Sequence, residues 1–578
     1  MLTAMVDPAA MELADELDGL PLALATAGAY LEETATTFSD YLRLYRESWL
    51  KLQKTSPELS SYEDRALYST WQLSLNHIKQ QNELSAKLLQ LWAYFSNQDL
   101  WFELLRHGDS SDPEWIQRLT DELSFNEAVR VLCNHGLVEA DMAEQDRVES
   151  PGYGMHSCVH WWTIHILNEE WDYSLAKLAL KCIGSHVPRR DMGKWWITQR
   201  RLLQHAARCW HLVESGKIGD EGMEWALIRL GNMYLDQGKL NESEKIYQRV
   251  RQGFEKALGP DHTSTFVVVN NLGMLYRDQG KLDEAEKMLQ RALQGHEKAL
   301  GPDHTLTLQT VNSLGLLYAD MGRLDEAEKM YQRALHGYEK ALGPDHMSTL
   351  DTVHHLGLLY ANLGKLDEAE KMLQRALQGY EKALGPEHTS TLNTVHNLGR
   401  LYQDQTKLVE SEKMYQRVLQ GFEKALGPDH TSTLLTVMSL GTLYRNQGKL
   451  DEATKMYQRA LQGYEKALGP DHISTLEIVY GFGNVCADLG KLDEAEKMYQ
   501  RALQGFKKAL GSELITTYIP ALNTTENLAI LYTKMGRGDE ARELYERALR
   551  GLESVFGRSS ERCERTVADL AYLDANKS

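Results

Sequence analysis

One spacing governs what this chain can fold into. Gly259, Gly301, Gly343, Gly385, Gly427, Gly469 and Gly511 follow one another at intervals of 42 residues, six of them followed by Pro and the last by Ser512. A second marker, Leu-Gly, recurs at 230–231, 272–273, 314–315, 356–357, 398–399 and 440–441, then becomes Phe482-Gly483 and Leu528-Ala529. That makes eight units. A unit of this size cannot bury its own apolar stripe, whereas stacked neighbours can, so the period predicts a solenoid.

Each unit reads as two helices. In the second unit Val269, Leu272, Gly273 and Tyr276 share one helical face. Gly280 closes that helix as a C′ glycine. Asp283 opens the next one, with Glu286 three residues on as a capping box. Leu282, Ala285, Leu289, Ala292, Leu293 and Leu300 form its stripe, Gly301-Pro302 stops it, and Thr305 or Thr307 is expected to cap the helix after that. Gly273 and Ala285 remove bulk where the two helices cross. Each large apolar side chain so buried contributes about 1.5–3 kcal/mol.

Leu-Gly-x-x-Tyr, then Gly, then Ala, Tyr or Leu, and Ala resembles the tetratricopeptide pattern. The 42-residue length and the Leu-Gly-Pro-Asp-His linker resemble the subclass in kinesin light chains and fungal receptor-like proteins. The resemblance covers about 225–556. Units one and five carry Ser243/Val250 and Ser411/Val418 for the small alanines. Thr406 stands for the turn glycine, and Cys486 for the usual Tyr. The fold class expected is mostly all-α: a solenoid of about eight repeats over 223–556, a capping helix at 557–578, and a helical and winged-helix region in front.

That front region is built differently. All twelve Trp lie at or before Trp225, and residues 1–150 hold 26 acidic and 11 basic residues, against 48 and 43 in 225–578. Glu214 to Asp220 reads as a hinge between the two parts. Residues 11–31 read as a helical hairpin broken at Gly19-Leu20-Pro21. This segment resembles the Gly-x-Pro stretch of STAND ATPases, the NB-ARC/NLR class, where the proline packs near adenine. Helices are expected at 63–80, 84–96 and 115–135, strands at 137–141 and 153–157, a polar turn at 142–151 between them, and an amphipathic helix at 158–170. Helices followed by a hairpin suggest a winged helix. Met155-His156-Ser157 resembles the Met-His-Asp of that class, whose histidine meets the nucleotide phosphate. The organisation expected is a partial NB-ARC-like segment at 1–60, a winged-helix-like domain at 61–170 and a helical linker at 171–222.

No G-x-x-x-x-G-K followed by Ser or Thr occurs in the 578 residues. Without that loop no backbone nest or lysine receives the β- and γ-phosphates, so no NTPase activity is expected. The chain reads as having lost that subdomain, and ADP or ATP would bind only if a nucleotide-binding domain preceded it. Pro21 and His156 are cofactor contacts by family likeness alone; within this chain core packing is expected of both. Asp-His recurs at 261–262, 303–304, 345–346, 429–430 and 471–472, with Glu387-His388 in the same place. A catalytic dyad works once, so this is a turn device. His156, Cys158, His160 and His165 lack a metal-site spacing and are expected in core or supporting roles. Six Cys without C-x-x-C support neither a disulfide scaffold nor a zinc module.

A net charge of −19 argues against nucleic acid, and the longest apolar run, Leu20 to Leu31, is too short to span a bilayer. The cytoplasm is the expected location. The first helix of each unit carries a second stripe: Val267, Asn270, Met274 and Arg277 in unit two, and Asn312, His354, His396, Arg400, Arg445 and Asn484 in equivalent places. In tetratricopeptide arrays this stripe lines the concave groove. Asn can clasp a peptide backbone and Arg a carboxylate. The reading is therefore a non-enzymatic interaction scaffold, the ligand-sensing part of a STAND/NLR-like receptor, with a protein or peptide in the groove and an open oligomeric state. The alternative is a kinesin-light-chain-like cargo adaptor, although no heptads precede the array.

Overall fold

A computed structural model describes residues 7–17, 20–55, 62–106, 112–141, 149–167, 171–188 and 195–575. It falls into two compact units, residues 1–301 and 302–578.

In the first unit, helices Pro8–Glu16, Pro21–Thr34 and Phe38–Thr55 enclose a small core of Leu13, Leu17, Ala27, Tyr30, Tyr41 and Tyr45. Helices Tyr62–Gln81 and Glu83–Trp92 follow. The second is shorter than expected, because Tyr94 N–H turns back to the Leu91 carbonyl at 3.1 Å. The helix expected at 115–135 is two, Glu114–Leu119 and Glu122–Asn134. Asp121 breaks it by accepting from Ser124 N–H at 2.9 Å and capping the second piece.

Strands β1, Glu139–Ala140, and β2, Tyr153–Gly154, pair antiparallel, and Leu100 bridges to Tyr153 on the other edge. Both strands are shorter than the sequence suggested. Most of the turn between them (142–148) lies outside the described residues. Ser157 already belongs to helix Ser157–Trp162, which widens into a π turn over Thr163–Leu167; 168–170 lie outside the described residues. Helices Tyr173–His186 and Trp195–Glu214 then lead to the first two repeats.

One continuous core joins these parts. It starts at Tyr68 and Trp71, includes Trp92, Trp101 and Trp162, and reaches Leu272 and Leu275 in the second repeat. Arg201 lies 4.1 Å over the Trp101 ring and donates twice to Asp99, at 2.7 and 2.9 Å. The expected hinge at 214–220 is corrected by this packing. Ile218 is buried, the N–H groups of Lys217 and Ile218 both return to the Leu212 carbonyl, and Trp171 Nε1 donates to the Lys217 carbonyl at 2.7 Å. Glycines here form a helix cap locked by a tryptophan.

The second unit holds six repeats. Their first helices are Thr305–Asp320, Met347–Asn362, Thr389–Asp404, Thr431–Asn446, Ile473–Asp488 and Ile519–Lys534. Their second helices are Leu324–Leu342, Leu366–Leu384, Leu408–Leu426, Leu450–Leu468, Leu492–Leu514 and Gly538–Phe556. Helix Glu561–Ala575 closes the unit.

The crossing is as close as the small residues suggest. A Cβ on Gly315 would sit 2.7 Å from the Tyr331 ring, and one on Gly337 would sit 2.4 Å from Leu308. Where Ser replaces Ala, the hydroxyl is satisfied on the facing backbone: Ser411 Oγ donates to the Gly399 carbonyl at 2.7 Å, and Ser243 Oγ to that of Gly231 at 2.9 Å.

The linker does more than turn the chain. His346 Nδ1 accepts from Ser348 N–H at 3.2 Å and caps the helix that follows, as do His262, His304, His388, His430 and His472 in theirs. Thr305 and Thr307 are therefore not the caps. The threonine that follows this histidine inside the helix bonds backwards instead: Thr349 donates to the Gly343 carbonyl at 2.8 Å, and Thr391 to that of Gly385 at 2.9 Å. Asp303 pairs with Lys340 at 2.8 Å. The expected capping box fails as well. Helix Leu282–Leu300 starts behind Lys281 and no side chain caps it; Asp283 and Glu284 lie in its first turn, where their charge complements the positive end of the helix dipole.

Candidate functional site

Within the second unit, first helices of successive repeats touch one another, for example Thr305–Asp320 with Met347–Asn362 and Ile473–Asp488 with Ile519–Lys534. This ribbon of first helices is the face on which the predicted stripe lies.

Most of the stripe is spent between repeats. Asn312 Oδ1 accepts from Thr352 at 3.3 Å. His354 meets Thr394 Oγ1 at 3.1 Å and Asn397 Nδ2 at 3.3 Å. His396 Nε2 meets Ser439 Oγ at 3.1 Å. Arg445 pairs with Asp488, and Asn484 Oδ1 accepts from Tyr499 at 2.7 Å and Asn527 at 2.8 Å. Each bond crosses to the next repeat, except the one from Tyr499. The side chains expected to greet a ligand therefore also stitch the scaffold.

Arg400 differs. It is exposed and has no hydrogen bond or ion pair among the described residues. Burial, and then the charge of Arg400, push the His354 and His396 imidazoles down to about 4. Both are neutral at pH 7, which leaves Arg400 as the local cation. The arrangement can attract an acidic group while its neighbours offer neutral hydrogen-bonding rings.

In the first unit Asn270 is buried, and its Oδ1 has no partner among the described residues. Arg277 lies 3.1 Å from Asp278. Pro21 and His156 are both exposed, which corrects the expectation of core packing. Pro21 is the first residue of its helix, where a missing N–H costs nothing. His156 caps helix Ser157–Trp162 by accepting from Cys158 N–H at 3.3 Å. His160 Nε2 lies 3.1 Å from the Phe95 carbonyl, and burial pushes its imidazole down to about 4. Among the described residues no group of three or more His, Cys, Asp or Glu is placed to hold a metal, and no helix is long and apolar enough to cross a membrane.

Sequence reasoning missed the end of the ribbon. A cavity of about 190 Å³ opens between the first helices of the last two repeats and helix Glu561–Ala575, lined by Tyr480, Glu526, Asn527, Ile530, Arg562 and Asp569 among others. Arg562 donates to Glu526 at 2.7 Å and to Asn523 at 2.5 Å, and Thr566 donates to Glu526 at 2.8 Å. From sequence the last helix reads only as a cap. One signal is present: Gly557 and Cys563 keep the spacing of Gly343 and Thr349, and Cys563 Sγ points its hydrogen bond at the Gly557 carbonyl at 3.4 Å. The helix is thus a further first helix in register.

Tetratricopeptide repeat matches cover residues 222–294, 264–340, 308–382, 348–424, 432–508 and 522–561. They span more than half of the chain, which belongs to the tetratricopeptide-repeat family. A nucleotide-binding leucine-rich repeat (NLR)-like protein of Hyaloscypha variabilis is 28% identical over 286 residues, 46% of this chain and 26% of its own length. The chain thus spans about a quarter of that relative. Among solved structures, a STAND protein with a tetratricopeptide repeat sensor from Pyrococcus horikoshii aligns over 95% of this chain and 74% of its own, at 14% identity and a TM-score of 0.51. A putative kinesin light chain with nearly identical TPR-like repeats from Podosopora anserina is 25% identical over 36% of this chain and 99% of its own, with a TM-score of 0.32.

Proposed function

We propose that the chain is the recognition part of a STAND/NLR-like signalling receptor, and that its ribbon of first helices takes a protein or peptide ligand. The observation that carries this is Arg400: an unpaired guanidinium on a face where the surrounding polar side chains are bonded to each other. A scaffold gains nothing from a lone exposed cation held beside two neutral histidines, whereas an acidic ligand does. The similarity to the NLR-like relative supports the receptor context, and the repeat family supports a non-catalytic role.

In this reading residues 1–60 are part of an NB-ARC-like segment, 61–170 a winged-helix-like domain and 171–222 a helical bridge. ADP or ATP enters only if a nucleotide-binding domain precedes these residues. Pro21 and His156, both exposed, are then available to such a domain. Location in the cytoplasm belongs to the same proposal.

The test is comparative capture. Wild-type chain, Arg400→Ala and Asn270→Ala with Arg400→Ala are used as bait in extract of the source organism. Loss of specific partners from the variants, with unchanged melting temperature, is the expected result. An unchanged set of partners would overturn the assignment of this face.

A further inference from the structure

Two arginines on one face of helix Trp195–Glu214 meet opposite surroundings. Arg201 donates twice to Asp99 and once to the Ser150 carbonyl at 3.2 Å, and lies over the Trp101 ring. Arg208, two turns further on, is half-buried with its Nε shut away from solvent, yet it has no hydrogen bond or ion pair among the described residues. Burial pushes its guanidinium down, and no described carboxylate acts against that. Its neighbours are basic as well. His160 is lowered by burial and then by the charge of Arg208. His165, in the π turn, is lowered by burial and then by the charges of Lys217 and Arg208. Lys217 is anchored through its carbonyl, which accepts from Trp171 Nε1, and its exposed ammonium stands 5.3 Å from the centre of the Trp171 ring. It too has no acidic partner among the described residues.

A charge held partly out of water without a counter-charge is costly, and an anion that arrives to meet it recovers that cost. We propose that Arg208 and Lys217, with the His165 ring beside them, bind a phosphate group, free or on a small monoester. The guanidinium fork offers two parallel donors to one edge of a phosphate, and the ammonium is a point charge for another oxygen. A single carboxylate answers one of the two cations, whereas a dianion answers both. The Trp171 ring, next to Lys217, gives the ester group an apolar neighbour. The three basic groups come from the π turn, from helix Trp195–Glu214 and from the turn after that helix. Bound phosphate therefore ties the π turn to the stretch that leads into the repeats. The inference is independent of how the ribbon of first helices is read.

The experiment uses the full chain with isotope-labelled arginine, because an Nε–H shut away from solvent gives a resolved resonance; Arg208→Lys assigns it. Inorganic phosphate, phenyl phosphate and acetate are titrated at an ionic strength held constant with chloride. Inorganic phosphate is expected to shift the Arg208 resonance at millimolar concentration and to raise the melting temperature. Acetate is expected to need about tenfold more, or to leave the resonance in place. A tighter phenyl phosphate points to a monoester as the natural form, and a weaker one to the free ion. Lys217→Met, a change at an exposed position, is expected to weaken phosphate by about tenfold while the melting temperature without phosphate stays the same. A resonance indifferent to phosphate, an equal response to acetate, or binding indifferent to Lys217→Met would each overturn the proposal. So would a resonance that moves without added anion when Glu169→Gln and Glu170→Gln are introduced together. Those two residues lie outside the described ones, and that result would make them the counter-charge.

Discussion

The first 200 or so residues and the repeats of the second unit are both helical, yet they are held together in opposite ways. In the first unit the main core, beside the small one under the first three helices, runs from Tyr68 to Leu275 and depends on large, singular side chains such as Trp71, Trp92, Trp101 and Trp162. In the second unit the core is a series of small clusters. Leu350, Val353, Ala376 and Tyr380 close one repeat on itself; Ala369, Leu373, Leu398 and Leu401 close that repeat on the next. The pattern then recurs with Leu392, Val395, Val418 and Phe422, and with Tyr415, Leu440 and Leu443. A core that large makes each of its residues answer for the whole of it. Serial clusters confine a fault to its neighbours.

Acid should separate the two most strongly. Burial holds His135, His160 and His205 in the first unit, and His354 and His396 in the second, at about 4. Their folded-state values lie below the unfolded value near 6.5. The unfolded chain therefore takes up more protons as pH falls, so the stability is fully present above about 6.5 and is lost as pH drops toward 4. Hydrogen exchange between pH 7 and 4.5 is expected to show the first unit opening as one body. The second is expected to open first around residues 347–426. Uniform loss across both units would erase the contrast.

Truncation comes next. Trp162→Ala should cost about 3–5 kcal/mol and lower protection as far away as the second repeat. Leu373→Ala should cost about 2–5 kcal/mol but loosen only the fourth and fifth repeats. Urea melts with site-resolved exchange check both. A Leu373 variant that unfolds the whole second unit would show that its clusters are not independent.

A smaller gain is expected at Thr406. It takes φ of 59°, where the other repeats use glycine. Thr406→Gly should raise stability by about 1 kcal/mol, measured by the denaturation midpoint.

The smallest effect concerns one seam. Between most repeats a tyrosine and a lysine converge on a glutamate of the preceding repeat: Tyr360 at 3.1 Å and Lys365 at 3.0 Å on Glu328, Tyr402 at 3.3 Å and Lys407 at 3.0 Å on Glu370. Between the sixth and seventh repeats the glutamate is Thr454 and the tyrosine is Cys486. There the packing is apolar, with Tyr457 stacked on Phe482 at 6.4 Å and one cluster spanning both repeats. Thr454→Glu and Cys486→Tyr should each be neutral or harmful alone. Together they should recover about 0.5–1 kcal/mol in a double-mutant cycle. Strict additivity would mean that the seam does not use this contact.

How much of this could be read beforehand follows from the same contrast. The repeats were legible because a period repeats its own evidence: Leu272, Tyr276 and Gly280 announce one helix and its end, and later copies confirm them. Caps were harder. His346 and Thr349 both carry side-chain acceptors or donors near a helix start, and only the backbone path decides that histidine caps while threonine bonds back to Gly343. The stripe positions were found, but their partners were not, since Asn312 with Thr352 or Asn484 with Asn527 requires the register between helices about one repeat apart. In the Trp-rich part no repetition helps. Asp121 interrupts a helix that hydrophobic spacing alone would continue, and Trp171 pins a glycine-containing stretch that composition alone would leave loose.

The odd seam also bears on how such an array can change length. Thr454 and Cys486 lie 32 residues apart in different repeats, so a 42-residue copy carries one half of the seam before it and one half of the seam after it. Excising a whole period between Leu324 and Leu408 would bring a glutamate against a tyrosine again, and the join would be sound. An excision that set Glu412 against Cys486 would take the tyrosine hydroxyl from the carboxylate and leave it the lysine of that seam, Lys491, alone. A period can therefore leave this array without loss to a seam wherever it keeps Thr454 and Cys486 together or, as 450–491 would, removes both.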